Sequence, residues 1–155
     1  YFILSEIRDW DNDMYKKAVE ASFDRWDVSS TRKAGYTIAD ISSLTEEAKK
    51  ERVLTQKYIS LYMNPDEAWA EYRRTGYPKT LINVGERVRA NLPASNPSYY
   101  VFLKDPSATD VTGIPERINY PNTYKGLNLN YIEALKNMEA SGDSRGKRLI
   151  FATRP

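Results

Sequence analysis

Between residues 15 and 26 the apolar side chains keep the step of an α-helix. Tyr15, Ala18, Val19, Ser22, Phe23 and Trp26 fall at i, i+3, i+4, i+7, i+8 and i+11. That spacing gathers them into one stripe along a helix, whereas a strand would alternate its faces every second residue. Such a stripe must be covered by another element. The segment before it supplies one: Phe2, Ile3, Ile7 and Trp10 lie within a few turns of one face. The polar turn Asp11-Asn12-Asp13 separates the two, with Asp13 placed to cap the second helix. Two antiparallel helices joined by a short turn make a helical hairpin. The stretch from Ser29 to Tyr36, with its serines, threonine and glycine, reads as a loop.

A second hairpin follows. Ser43 and Glu46 have capping-box spacing and open a helix whose apolar edge includes Ala48, Leu54, Tyr58, Leu61 and Tyr62. Its other side interleaves Glu46, Glu47 and Glu51 with Lys49, Lys50 and Arg52, the pattern of a solvated face. The next start signal is unusually complete: Asn64 as N-cap, Pro65 at the first helical position, then Asp66 and Glu67 at the positive end. Ala68, Trp69 and Tyr72 give that helix its apolar side. Gly76 fits the left-handed position after it, and Pro78 prevents continuation. From residue 79 the text changes, because Pro93, Pro97, Pro106, Pro115 and Pro121 interrupt it. Short pieces such as Val84–Asn91 and Tyr99–Leu103 can form within this long loop region. A last helix, capped by Asn130, runs through Tyr131, Ala134, Leu135 and Met138 and stops near Gly142; the tail Leu149-Ile150-Phe151 is expected to dock on the body. The chain therefore reads as all-α in one region, 1–155. Tetratricopeptide-like hairpins occupy 1–78, a loop-rich segment 79–126, and a final helix and tail 127–155, although no repeat of about 34 residues aligns.

Composition narrows the chemistry. Of 155 residues 41% are apolar, enough for one core. Lys and Arg number 23 against 21 Asp and Glu, and no basic stripe stands out, so nucleic acid is not an expected partner. No apolar run approaches the roughly 18–20 residues that cross a bilayer. The chain has no histidine and no cysteine. This removes Ser-His-Asp and Cys-His triads, Cys/His zinc sites, CxxC redox chemistry and disulfides. Paired carboxylates and oxygen-only metal sites survive that test. Asp9, Asp11, Asp13 and Glu20 match part of a calcium-loop pattern, but Met14 stands where the loop turns on glycine, and the helical stripe runs through it. A turn and a helix cap explain these acids better. No catalytic residue, metal ligand or cofactor is assigned.

Four phrases in order resemble a known family. The first is Tyr1-Phe2-Ile3-Leu4-Ser5-Glu6 with Tyr15, Ala21-Ser22-Phe23 and Trp26. Next come Gln56-Lys57-Tyr58-Ile59-Ser60-Leu61-Tyr62 and the run from Glu67 to Pro78 that ends Arg73-Arg74-Thr75-Gly76-Tyr77-Pro78. Then come Ile114-Pro115-Glu116-Arg117-Ile118-Asn119-Tyr120-Pro121, and Leu127-Asn128-Leu129-Asn130-Tyr131 leading to Gly142-Asp143 and Lys147-Arg148-Leu149. Together they resemble the C-terminal part of SusD/RagB-like proteins, in the branch with a Trp/RRTGYP helix. The resemblance implies a tetratricopeptide-containing helical fold and surface exposure at the outer membrane, with lipid anchoring through an N-terminal Cys. It also implies partnership with a SusC-like TonB-dependent transporter, and capture of oligosaccharide or polysaccharide without cleavage. The tail Leu149-Ile150-Phe151-Ala152 departs from the Trp-Trp-Asp ending common in that branch. Tyr1-Phe2-Ile3-Leu4 reads as a helix already in progress, so a longer parent carrying the anchor and any targeting signal upstream is expected. A helical-repeat scaffold for proteins, with no sugar ligand, is the alternative from a different class; a carboxylate hydrolase would need an acid pair that the sequence does not single out.

The residues themselves offer two places for function. Tyr99, Tyr100 and Phe102 follow Asn96-Pro97-Ser98 in the loop region and are the glycan-binding candidates, since aromatic faces cover the apolar CH surface of a sugar. Glu71, Arg73 and Arg74 read as an ion-pair network at a helix end, where cations are favoured. Adjacent arginines cannot both face inward, so one is expected to hold a carboxylate with two bonds while the other reaches elsewhere. Trp10, Trp26 and Trp69 sit at helical spacings and are expected in the core.

Overall fold

The computed structural model describes residues 1–89, 99–101, 103, 106–107, 109–111, 113–137 and 144–149. These divide into two compact units, 1–80 and 81–149, each taken by itself. The fold class is all-α, as the helical spacing predicts, with one short two-stranded ribbon.

The first unit contains α1 (Phe2–Ile7), α2 (Asn12–Arg25), α3 (Ser30–Ala34), α4 (Glu46–Ser60) and α5 (Pro65–Thr75). Helix α1 packs on α2 and α4, α2 on α4, and α4 on α5. The corner between α1 and α2 is closed by polar contacts. The hydroxyl of buried Ser5 donates to the Asp11 carbonyl at 2.8 Å, and the Asp11 amide donates back to the Ser5 carbonyl at 3.1 Å. The chain turns through left-handed backbone at Asp9 (φ 53) and Trp10 (φ 64). That turn ends at Asp11, whose extended backbone suits an N-cap and whose carboxylate accepts from the Met14 amide at 2.8 Å. Asp11 therefore caps α2 in place of Asp13, which sits in the first turn. Thr45 likewise replaces Ser43 as the cap of α4, accepting from the Ala48 amide at 3.4 Å. The expected loop at 29–36 holds α3. Lys33 ties it to Asp24 of α2 at 2.5 Å, and the Tyr36 ring meets Phe23 edge-on at 5.4 Å.

Tyr15, Val19, Ile41 and Val53 form the core, with Phe2, Trp10, Phe23 and Ile38 packed around them. Ile41 comes from no helix, yet it is fully buried. Polar bonds from α2 place it. Asn12 accepts from the Ile41 amide at 2.9 Å and donates to Asp40 at 3.1 Å, and Lys16 reaches Asp40 at 2.7 Å. The hydrogen bonds from Lys16 and the Ser42 amide hold the Asp40 carboxyl well below the usual carboxylate range.

Three expected core positions lie outside. Ile3 and Ile7 are 62% and 69% exposed. Ser5 faces inward, and residues two positions away lie about 200° around the helix, so both isoleucines must face out. Trp26 is 38% exposed. It meets Tyr62 edge-on at 5.7 Å and donates to the Ser60 carbonyl at 3.3 Å. Tyr62 falls after the last residue of α4 and is also exposed, while Val53 joins Leu54 as that helix's deepest contact. Trp69 is half-buried. Helix α5 starts at Asn64-Pro65 and ends on left-handed Gly76 (φ 78), whose amide donates to the Tyr72 carbonyl at 2.7 Å.

In the second unit, β1 (Arg87–Arg89) pairs antiparallel with β2 (Tyr99–Val101), Val88 standing opposite Tyr100. Helices α6 (Tyr124–Leu127) and α7 (Leu129–Asn137) follow and pack on each other. The Asn128 side chain accepts from the Asn130 amide at 3.0 Å, so the capping expected of Asn130 is done two residues earlier. Met138, Gly142 and the tail from Ile150 lie outside the described residues.

Because Ile41 is sealed in the core, Ile41→Ala is expected to cost about 2–4 kcal/mol in denaturant unfolding, whereas Ile3→Ala stays within about 0.5 kcal/mol.

Candidate functional site

The C-terminal end of α5 gathers charges from three helices. Arg74 donates to both oxygens of Glu6 on α1, at 2.7 and 2.9 Å, a two-bond grip. It also reaches Glu71, one turn back on α5, at 2.6 Å. Lys57 of α4 completes the set at 2.9 Å from Glu71 and 3.8 Å from Glu6. Two carboxylates and two cations thus balance in a place where the Glu71 side chain is only 11% exposed. Burial opposes the ionisation of Glu71, but hydrogen bonds from Arg74 and Lys57 outweigh it and hold the carboxyl below its ordinary value. Arg73 turns the other way and lies over the Trp69 ring at 3.9 Å; burial lowers its pKa.

The residues after Arg74 are also spent on the local fold. Thr75 donates from its hydroxyl to the Glu71 carbonyl at 2.8 Å and accepts from the Tyr77 amide at 3.2 Å. The Tyr77 hydroxyl donates to Glu47 on α4, and Lys79 binds the same carboxylate at 3.1 Å. Burial and then the bond to Glu47 push the Tyr77 phenol up. Pro78 is buried. The phrase from Arg73 to Pro78 is a helix end fastened to α1 and α4.

In the second unit, Tyr99 and Tyr100 lie on β2, and Phe102 lies outside the described residues. A different aromatic group is assembled further along. Asp110 accepts from the Arg145 amide at 2.8 Å and from its guanidinium at 2.6 and 3.1 Å. These bonds hold the Asp110 carboxyl well below the usual range. The Arg145 carbonyl then accepts from the amides of Glu116 and Arg117, at 2.7 and 3.3 Å. Arg117, itself buried, lies over the Tyr120 ring at 5.0 Å, and Tyr120 meets Tyr131 of α7 edge-on at 5.7 Å. Sequence reasoning passed over this group, taking Tyr131 as helix stripe and Tyr120 as part of a phrase. The available signal was three tyrosines, 120, 124 and 131, with Asn128 and Asn130 between them.

No group of three or more acidic side chains placed to hold a metal ion occurs among the described residues. No described helix is long and apolar enough to cross a membrane.

The chain belongs to the SusD-like family described as starch-binding associating with outer membrane, which it matches over residues 1–96. No curated protein matches it.

Replacing Arg74 with Met leaves Glu6 and Glu71 sharing one lysine, and is expected to cost about 2–4 kcal/mol of stability. Since Glu71 is held below its unfolded value, near 4.5, its contribution is complete above that pH and lost as pH falls through the lower folded value. Glu71→Gln should flatten that part of an acid-unfolding profile, and an unchanged profile would show that Glu71 is not linked to folding.

Proposed function

We propose that this chain is part of a non-catalytic, cell-surface glycan-binding protein. It rests on tetratricopeptide-like hairpins, is anchored by lipid through a Cys upstream of these residues, and assists oligosaccharide import through a SusC-like TonB-dependent transporter. Membership of a starch-binding, outer-membrane-associating family carries the reading. The chemistry of the chain supports it. With neither histidine nor cysteine, the acid–base groups available for glycoside hydrolysis are carboxylates, and several of these are engaged. Glu6 and Glu71 are tied to Arg74, Glu47 to Tyr77 and Lys79, and Asp110 to Arg145. A glycosidase needs one acid that keeps its proton and a second across a cleft. Held below their ordinary values by cations, Glu71 and Asp110 are poor proton donors at neutral pH.

A second reading, a helical scaffold for protein contacts, is favoured by one observation. Tyr58, Leu61, Tyr62, Met63 and Pro65 border an apolar groove of about 640 Å³ where α4 meets α5. Tyr62 and Met63 there are exposed, and Met63 is held at φ 66.

Affinity electrophoresis against a polysaccharide panel, run beside a reducing-end assay, separates the readings. The glycan reading expects saturable retardation with no reducing ends released. Sustained release would overturn the non-catalytic assignment, and lack of retardation on every polysaccharide would favour the protein scaffold.

A further inference from the structure

An exposed apolar strip runs over the ends of α2 and α4 in the first unit, and contacts along it give its order. The Arg25 guanidinium lies over the Trp26 ring at 5.5 Å, and Trp26 meets Tyr62 edge-on at 5.7 Å. Met63 and Pro65 carry the line on to Asp66 and Glu67 in the first turn of α5. A cation thus marks one end and two carboxylates the other. Among the described residues none of these three charges enters an ion pair. The middle of the strip is pinned from beneath. Trp26 donates to the Ser60 carbonyl at 3.3 Å, and the Asn64 amide closes the turn that carries Tyr62 and Met63 by donating to the Leu61 carbonyl at 2.8 Å. Tyr62 and Met63 stand 70% and 77% exposed at the edge of the apolar groove of about 640 Å³. A projection and a hollow therefore lie side by side.

We propose that this strip pairs with the same strip on a second copy of the chain, about a two-fold axis near Tyr62. Such an axis reverses the strip. Arg25 of each copy then meets Asp66 and Glu67 of the other, and each Tyr62–Met63 projection enters the other copy's groove. A two-fold contact uses one patch twice and must be self-complementary, which a strip positive at one end and negative at the other is. Other occupants match only half of it. An anionic surface is repelled at Asp66 and Glu67, and a cationic segment is repelled at Arg25. The residue types agree, since Trp, Tyr, Met and Arg are enriched where proteins meet. Trp26, Ile59, Tyr62 and Met63 together leave on the order of 500 Å² of surface open, a patch size that marks contact sites. A standard interface covers about 800 Å² per side, so the expected dimer is a reversible one. The pairing goes beyond the glycan-binding reading and does not depend on it.

Sedimentation equilibrium of the whole chain over a range of concentrations tests the pairing. Wild type is expected to pass from monomer to dimer as concentration rises; a monomer at every concentration overturns the proposal. Arg25→Glu sets like charges against each other at both ends of the contact, and so does Asp66→Lys combined with Glu67→Lys. Each variant alone should dimerise about tenfold more weakly, or worse. Mixed in equal amounts, the two restore opposite charges at both ends and should form a mixed dimer, which apolar stickiness alone would not do. Met63→Glu, at an exposed position, places a charge in each groove and should abolish the dimer with the thermal midpoint unchanged. If these variants dimerise as wild type does, or the mixture gains nothing over its components, the contact lies elsewhere and the proposal fails.

Discussion

The grip of Arg74 on Glu6 is the contact on which the first unit depends. It joins α5 to α1 across 68 positions of sequence, and through Glu71 and Lys57 it brings in α4 as well. Taking four charged groups partly out of water is unfavourable, and their mutual attraction offsets it only because geometry and charge balance are good. The apolar core that the network supplements is small. Tyr15, Val19, Ile41 and Val53 are its centre, and much of the remaining apolar surface of α1 and of the end of α2 faces outward. With so little buried apolar area, helix positions must be specified by polar contacts: Ser5 with Asp11, Asn12 with Ile41, Tyr77 with Glu47.

Periodicity made the helices legible because each must bury a stripe, and the turn chemistry of Asn64-Pro65 and Gly76 marked α5 at both ends. Caps were less legible. Asp11 and Asp13 differ little as side chains; what chooses between them is the left-handed turn at Asp9 and Trp10, a backbone property. Exposure was also hidden, since a stripe states which residues share a face and not how far its partner reaches. Trp26 follows the last residue of α2 and packs on Tyr62 outside the core. Ile41 had no periodic signal, being buried from a loop by bonds that start 29 residues earlier. The tyrosines and asparagines between 120 and 131 are close in sequence, but what holds Arg117 behind Tyr120, the clamp of Arg145 on Asp110, spans 35 positions and leaves no local signal.

A division of labour follows. The first unit spends its charged groups on holding helices together, and the phrase Arg73-Arg74-Thr75-Gly76-Tyr77-Pro78, conspicuous for its chemistry, serves as a fastened helix end. The second unit spends Asp110, Arg145 and Arg117 on presenting tyrosines beside uncharged amides. The match over residues 1–96 to a starch-binding family associated with the outer membrane covers the whole of the first unit.

Hydrogen exchange of the whole chain, compared between wild type and Arg74→Met, tests this account most directly. Exchange is predicted to quicken in α1, α4 and α5 together, the helices that the network joins. Faster exchange confined to α5, with α1 and α4 as in wild type, would contradict it.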